Sequence, residues 1–193
     1  LLNTRRIGGA ARNVDVPDGI TVAGVELSKP TELLGAVKAV GQSGNLRYGV
    51  LSAFENESRL VGEDIQTGAT TTITNDGRDF GVARLLYESA SGDGRRSIGY
   101  LGTLATSDSL DAVVHGIDTH WMSSGGRWSI DNQLMASEKA DTNGYGLFMD
   151  LSYTPTLGLS HSLGIDALDE NLDISDLGYL RTNDSYGLSY SLM

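Results

Sequence analysis

Apolar residues recur at every second position over long stretches, and this alternation constrains the fold more than any other feature. In the stretch Gly125–Pro155 the apolar positions are Trp128, Ile130 and Leu134, followed by every second residue of Tyr145–Tyr153. Successive side chains of a strand point to opposite sides, so the pattern predicts strands with one apolar and one polar face. Those faces could meet a protein core and water, or lipid and a watery lumen.

The alternation predicts an all-β chain with nine long strands. A typical globular strand has about five or six residues, whereas transmembrane β-strands need about 9 to 11, which is the length found here. The predicted strands are Leu33–Gln42, Leu46–Glu55, Asp79–Ser89, Arg96–Ala105, Ala112–Trp121, Arg127–Ala136, Tyr145–Tyr153, Leu159–Ala167 and Ser185–Met193. Residues 1–32 are predicted as an irregular N-terminal segment with room for one more strand, and residues 33–193 as an antiparallel meander.

Short and long connections alternate along this meander. The short ones are Ser43–Asn45, Ser91–Gly94, Met122–Gly126 and Thr154–Gly158, and the longer ones are Asn56–Gly77, Thr106–Asp111, Ser137–Gly144 and Leu168–Asp184. Up-and-down barrels of outer membranes have short turns at one rim and longer loops at the other. The pattern predicts an antiparallel, up-and-down transmembrane β-barrel. Bacterial barrels have even strand numbers, so the nine identified strands do not close one. We expect the nine or ten strands present here to be part of a larger barrel.

The two predicted faces differ in charge. The residues assigned to the interior of one face include no Asp, Glu, Lys or Arg, and its polar exceptions are Ser52, His115, Thr119, Asn132 and His161. A charge in hydrocarbon costs a few kcal/mol, so this face suits lipid. The candidates for the opposite, lumen-facing side are Lys38, Arg47, Arg84, Glu88, Asp118, Asp131 and Asp150.

Aromatic residues lie near the predicted strand ends. Trp121 and Trp128 flank one short turn, which places both at the same rim. Membrane barrels hold Trp and Tyr at the lipid headgroups. The predicted lipid-boundary aromatics are Tyr87, Trp121, Trp128, Tyr145, Tyr153 and Tyr186. A soluble β-sandwich also explains alternation, but it does not explain long strands, sorted connections and rim aromatics together.

Composition excludes several classes of function. The 14 Lys and Arg against 25 Asp and Glu give a net charge of −11, so nucleic acid is not an expected partner. Cysteine is absent, which excludes disulfides and thiolate metal sites. No signal peptide is recognisable at the start, and we expect a segment of a longer protein.

No residue pattern predicts catalysis or a cofactor. His120 shares the polar side with Asp118, and His161 precedes Ser162, but no nucleophile motif accompanies either histidine. The acidic stretch from Asp166 to Asp176 could hold Ca²⁺, yet it lacks the EF-hand spacing, and a solvated loop is the simpler interpretation. We therefore predict a protein that is not an enzyme and has no metal site.

Two short stretches resemble a known family. "NTRRIGG" (Asn3–Gly9) is similar to an "SRRIG" signature, and "DLGYLRTNDSYGLSY" (Asp176–Tyr190) is similar to a "GFLRRND" segment. The "SRRIG" signature and the "GFLRRND" segment both occur in bacterial outer-membrane proteins that carry an N-terminal family-nine-type carbohydrate-binding domain. The matching positions are Arg5, Arg6, Gly8, Gly178, Leu180, Arg181, Asn183 and Asp184.

The resemblance implies the first part of that family's C-terminal barrel region. We therefore expect a segment of a bacterial outer-membrane barrel, either a porin-like passage or a surface scaffold, linked to carbohydrate binding or uptake. The expected partners are membrane lipid, carbohydrate and the remainder of the parent barrel. The alternative is a soluble all-β, lectin-like module.

Overall fold

The computed structural model describes residues 4–108 and 111–193. The described part is all-β, with one helical turn at each of two places near the start. The elements are a 3-10 turn Thr4–Arg6, β1 Ile20–Val22, α1 Gly24–Leu27, β2 Leu33–Ser43, β3 Leu46–Glu55, β4 Ser58–Asp64, β5 Thr70–Asn75, β6 Asp79–Ser91, β7 Gly94–Thr106, β8 Asp111–Ser123, β9 Trp128–Lys139, β10 Thr142–Thr156, β11 Leu159–Leu168 and β12 Ser185–Leu192. The first residue of the Asn3–Gly9 motif and part of the predicted connection Thr106–Asp111 lie outside the described residues.

Nine strands form one antiparallel, up-and-down sheet in the order β12-β11-β10-β9-β8-β7-β6-β3-β2. All nine predicted strands are present, and their ends differ from the prediction by a few residues. The largest extension is in β10, which runs over Thr142–Thr156 rather than Tyr145–Tyr153. Over the described residues the sheet is open, with free edges at β2 and β12, and no closed barrel is found. No helix in the described ranges is long and apolar enough to cross a membrane.

A second sheet corrects the prediction for Asn56–Gly77. That stretch was predicted as a connection, but it contains the β4–β5 hairpin, which pairs with β1 in a three-stranded sheet. The hairpin turn is held by Asp64, whose Oδ1 accepts hydrogen bonds from the backbone N–H of Gln66 and Thr67. Leu60 and Ile73 are buried in this small sheet. The strands are short, so their alternation was too brief to predict them.

The connection Ser137–Gly144 was also predicted wrongly. The sequence suggested a longer loop, but β9 and β10 are joined by the two residues Ala140 and Asp141. Both have positive φ, 48° and 61°, which is the backbone of a two-residue hairpin turn. Such turns usually contain Gly or Asn. The sequence placed its Asn-Gly pair at 143–144, where the strand in fact continues.

The sheet connections still differ between its two rims. The rim with the β2–β3, β6–β7, β8–β9 and β10–β11 turns is called the turn rim here. The opposite rim carries the β4–β5 hairpin and residues 169–184, which connect β11 to β12. We call residues 169–184 the cap segment. The predicted sorting therefore holds for these two long connections and fails for the β9–β10 turn.

The cap segment packs against the sheet, so the interpretation of this stretch as a solvated loop was wrong. Its Leu172, Ile174 and Leu177 are buried. Leu172 and Ile174 cluster with Met135 and Leu168. Leu177 joins a second cluster that contains Phe80 and Val82 of β6. The apolar core of the main sheet thus lies on its polar side, beneath the cap segment.

The two stretches that carry the family resemblance meet in this covering layer. Ile7 packs against the cluster that contains Leu177, and Leu180 packs against the other cluster. Arg12 Nη1 donates to the backbone oxygen of Ser175 at 3.3 Å. Residues from the two ends of the sequence therefore cover the same side of the sheet.

Candidate functional site

The seven residues predicted to face a lumen share one side of the main sheet. Residues directly opposite each other in antiparallel strands point to the same side. Cross-strand pairs such as Lys38 with Leu51, and Asp131 with Asp150, extend this side across the sheet. We call it the charged face. It holds Lys38, Arg47, Arg84, Glu88, Asp118, Asp131 and Asp150.

A two-pronged ion pair lies at the centre of the charged face. Arg84 Nη1 lies 2.5 Å from Asp118 Oδ1, and Nη2 lies 3.0 Å from Oδ2. This pair passes over Gly99, where an added Cβ would lie 2.6 Å from both Arg84 and Asp118. Two parallel N–H donors on a carboxylate fix its orientation and strengthen the contact. Gly99 therefore leaves the space in which β6 and β8 are bridged across β7.

A second ionic group lies nearer the turn rim. Glu88 is 2.9 Å from Arg95 and 3.8 Å from Arg47. The two arginine side chains are more than half exposed, so these pairs contribute little to stability. Their main consequence is that two arginines and one glutamate give this part of the face its charge.

The acidic half of the charged face lies on β9, β10 and β11. His120 Nδ1 is 2.5 Å from Asp131 Oδ1, and Ser129 Oγ donates to the other oxygen at 3.2 Å. Asp150 is directly opposite Asp131, an arrangement of like charges that destabilises a sheet. The Asp166 carboxylate extends over Gly187 of β12, where it would clash with a Cβ. Carboxylates therefore accumulate toward the β12 edge.

Charge is consequently divided across the face. Lys38, Arg47 and Arg84 lie on β2, β3 and β6, whereas Asp131, Asp150 and Asp166 lie on β9, β10 and β11. In the described part of the chain, the central residues are ion-paired, but Lys38, Asp150 and Asp166 are not. The uncompensated positive and negative charges are therefore near opposite edges of the sheet.

The other end of the charged face is closed by a buried ionic network. Arg78 lies 3.6 Å from Glu55 and 3.3 Å from Asp176, and these side chains are 9%, 3% and 11% exposed. Lys139 Nζ continues the network at 2.9 Å from both Asp173 and Asp176. The network ties the cap segment to the ends of β3 and β9 and to the start of β6.

The N-terminal segment joins the same network. The backbone N–H of Gly8 donates to Glu55 Oε1 at 2.7 Å. Each buried carboxylate thus has more than one charged or N–H partner, which a buried charge requires. The motif residue Gly8 therefore has a structural role in closing this end of the face.

Asp173 is held ionised. Burial raises the pKa of this carboxyl, but hydrogen bonds from Ser175 and Lys139 outweigh burial and keep the pKa below its usual range. The backbone N–H of Asp173 also donates to Ser137 Oγ at 3.0 Å. The carboxylate is therefore a structural anion that fastens the cap segment to β9.

Sequence reasoning missed this network. Glu55, Arg78 and Lys139 stand at strand ends, where charged residues are ordinary, and only the density of acids in the cap segment gave a signal. That signal was interpreted as solvated or Ca²⁺-binding. In the described ranges no three His, Cys, Asp or Glu residues are grouped so as to hold a metal ion, and Asp173 and Asp176 face basic residues instead.

The opposite side of the sheet, the apolar face, is exposed. Its large side chains include Val50, Leu85, Ile117, Leu134 and Leu188, which are 46–76% exposed. The register places no Asp, Glu, Lys or Arg on the middle of this face; its charged members stand near strand ends. These are Asp79, Arg96, Asp111 and Glu138. No second sheet covers this face within the described residues.

Aromatic rings form a row across the apolar face near the turn rim. Trp128 stacks on Tyr153 at 4.1 Å between ring centroids, and His161 follows at 6.0 Å from Tyr153 and 6.2 Å from Tyr190. Of the six predicted boundary aromatics, Tyr87, Trp121, Trp128 and Tyr153 lie toward this rim. Tyr145 and Tyr186 lie toward the other.

Polar groups on the apolar face bond to one another. Asn132 Nδ2 donates to Thr119 Oγ1 at 3.1 Å. His115 Nδ1 and His161 Nδ1 each lie 2.8 Å from a tyrosine hydroxyl, that of Tyr100 and Tyr190 respectively. An unsatisfied polar group is costly where water is absent. Four of the five polar exceptions on this face therefore have the partners that a lipid environment demands.

The histidines are not arranged for nucleophilic catalysis. His161 and Ser162 are consecutive in β11, so their side chains point to opposite faces. His120 contacts Asp131 rather than a hydroxyl or thiol nucleophile.

Comparison of the chain with protein-family models, with curated proteins and with solved structures found no match.

Proposed function

We propose that this chain is a segment of a bacterial outer-membrane β-barrel whose apolar face contacts lipid and whose charged face lines the lumen. In this proposal the barrel is a porin-like passage or surface scaffold linked to carbohydrate. The observation that carries the proposal is the apolar face, which is exposed and has no charged residue at its middle.

Physical chemistry favours lipid over water on that face. Soluble monomers rarely expose a contiguous apolar patch larger than a few hundred Å², yet here exposed large apolar side chains occur on every strand from β2 to β12 of the main sheet. The hydrogen bonds between polar groups on the face also favour lipid, because polar groups in lipid must find their partners within the protein. In a soluble sandwich this face would be covered by a second sheet, and none is found among the described residues.

The lumen of this segment would differ between its two ends. Near the turn rim the charged face is open, and several ionised side chains reach solvent. Near the other rim the cap segment and the buried network cover it. Because the cap segment covers this end, it would narrow the path of a solute through the lumen. This favours a narrow passage or a scaffold over a wide pore.

A polar cavity supports the link to carbohydrate. It has a volume of about 470 Å³ and is lined by the cap segment and the end of β9. Glu170, Asn171 and Arg181 contribute carboxylate, amide and guanidinium groups, which can bond to hydroxyl groups of a sugar. The same cavity is what a soluble lectin-like module would use.

Tryptophan quenching tests the proposal. Trp121 and Trp128 are the only Trp residues, and both lie on the apolar face. In bilayers we expect strong quenching by brominated lipid and weak quenching by aqueous acrylamide. A matched control replaces both by Phe and introduces Val40→Trp on the charged face, which should reverse the two responses. A soluble, folded monomer without lipid quenching would refute the membrane proposal and leave the lectin-like module.

A further inference from the structure

Among the described residues, no strand pairs with the outer side of either edge of the main sheet. Ser160 and Met193 exchange both backbone hydrogen bonds, at 2.8 and 3.0 Å. Such bonded pairs alternate along an antiparallel ladder, so Tyr186, Leu188 and Tyr190 direct their N–H and C=O groups away from β11. Their side chains are 82%, 76% and 63% exposed. β2 forms the equivalent free edge on the other side. Backbone N–H and C=O groups that lie in lipid must be paired by hydrogen bonds.

The directions of the edge strands restrict what can pair with them. Nine strands alternate in direction, so β2 and β12 run the same way. If the sheet closed on itself, these two edges would pair in parallel. Antiparallel pairing at both edges requires an odd number of inserted strands.

A second copy of this chain meets this requirement in only one orientation. A copy in the same orientation places its β2 beside β12 and again pairs them in parallel. An inverted copy gives antiparallel pairs of β12 with β12 and of β2 with β2. When two copies of β2 pair over their full length, the two Lys38 side chains lie opposite each other, and like charges across strands are destabilising.

The uncompensated charges indicate the chemistry of strands that would pair with these two edges. Asp166 lies over Gly187 of the edge strand β12, so its carboxylate faces the next strand position on the charged face. Lys38 is on the edge strand β2 itself. A basic residue beside Gly187 and an acidic residue beside Lys38 would neutralise both.

We propose that the edges of this sheet bind an odd number of antiparallel strands that carry a cation beside Gly187 and a carboxylate beside Lys38. This inference rests on the proposed function, because barrel closure in lipid is what demands that the edges be paired. The occupant is a strand-forming partner segment with an apolar outer face, rather than a second copy of the chain.

Disulfide capture of synthetic strands tests the inference. The chain has no Cys, so Ser189→Cys introduces a single thiol on the charged face of β12. Peptides of about ten alternating residues carry one Cys and, two residues after it, Lys or Glu. In an antiparallel strand that position falls beside Gly187. A third peptide has Lys two residues before Cys, which matches only parallel pairing.

We expect the peptide with Lys after Cys to give about two- to fivefold more disulfide than either of the other two, as for one opposite-charge pair. Asp166→Asn should abolish the preference for Lys over Glu. Ser162→Cys, on the interior strand β11, is the matched control and should capture less of every peptide.

Four results would overturn the inference. These are equal capture of Lys and Glu peptides, preference for the peptide with Lys before Cys, capture no greater than at Ser162→Cys, and disulfide dimers of Ser189→Cys that exclude the peptides. The last would identify a second copy as the occupant. Trp quenching by brominated lipid in the same variant reports the proposed function separately, so the two failures are distinguishable.

Discussion

The apolar face and the charged face are built from the same nine strands, yet they differ in what surrounds them. On the apolar face, Leu134 and its neighbours stay exposed and polar groups bond within the face. On the charged face, Arg84 and Asp118 pair across the sheet, and the cap segment buries Leu172 and Ile174. The protein thus places its own packed core on the polar side of the sheet. This inverts the arrangement of a soluble β-sandwich, where the apolar sides of two sheets face each other.

The covered end of the charged face should contribute most to the stability of the folded protein. Arg78→Ala should have the largest effect, because it leaves Glu55 and Asp176 buried without their guanidinium partner. Breaking one partner of a buried ion pair costs about 3–5 kcal/mol. Denaturant unfolding followed by Trp fluorescence would measure the loss. Arg47→Ala, on the exposed part of the same face, is the control and should cost about 1 kcal/mol or less. Equal losses would show that the network is not closed to water.

The next largest effect is expected when the same charge is added to each face in turn, at neighbouring positions of β9. Leu134→Arg places a charge on the middle of the apolar face, and in a bilayer it should cost about 2–4 kcal/mol. Gln133→Arg adds the same side chain to the charged face and should cost far less. Folding titrations in lipid vesicles would measure both. If Leu134→Arg is tolerated as well as Gln133→Arg, the apolar face is not in hydrocarbon.

The smallest expected effect is that of acid pH on the cap segment. The pKa of Asp173 is lowered in the folded protein, so its contribution is fully present above the unfolded value of about 3.9. It is lost as the pH falls through the lower, folded pKa. Limited proteolysis of the cap segment between pH 6 and about 2.5 should show release only at the acid end. Asp173→Asn should remove this part of the pH dependence, and an unchanged profile would contradict the assignment.

Much of the main sheet was predictable because its signal is local. A period of two over many residues identifies a strand and the side on which each residue lies. Lys38 and Trp128 were assigned to opposite sides from sequence, and the register places them there. The β4–β5 hairpin was missed because its strands are short, and the β9–β10 turn because Ala140 and Asp141 have no conventional turn signature.

The candidate site was predictable only in part, because its contacts are non-local. Arg84 and Asp118 were both assigned to one side, but their pairing depends on the register of three strands and on the space above Gly99. The contacts of Arg78 with Asp176 join residues 98 positions apart. A local pattern has no information about such a distance.

The sequence by itself determined the nine strands of the main sheet, their alternation of faces and the absence of charge from the middle of one face, because side-chain direction in a strand follows from backbone geometry alone. The tertiary structure decided which charges neutralise each other, that the cap segment covers one end of the charged face, and that Lys38 and Asp166 lie near opposite free edges. Those features depend on strand order and register, which arise only when distant segments pack together.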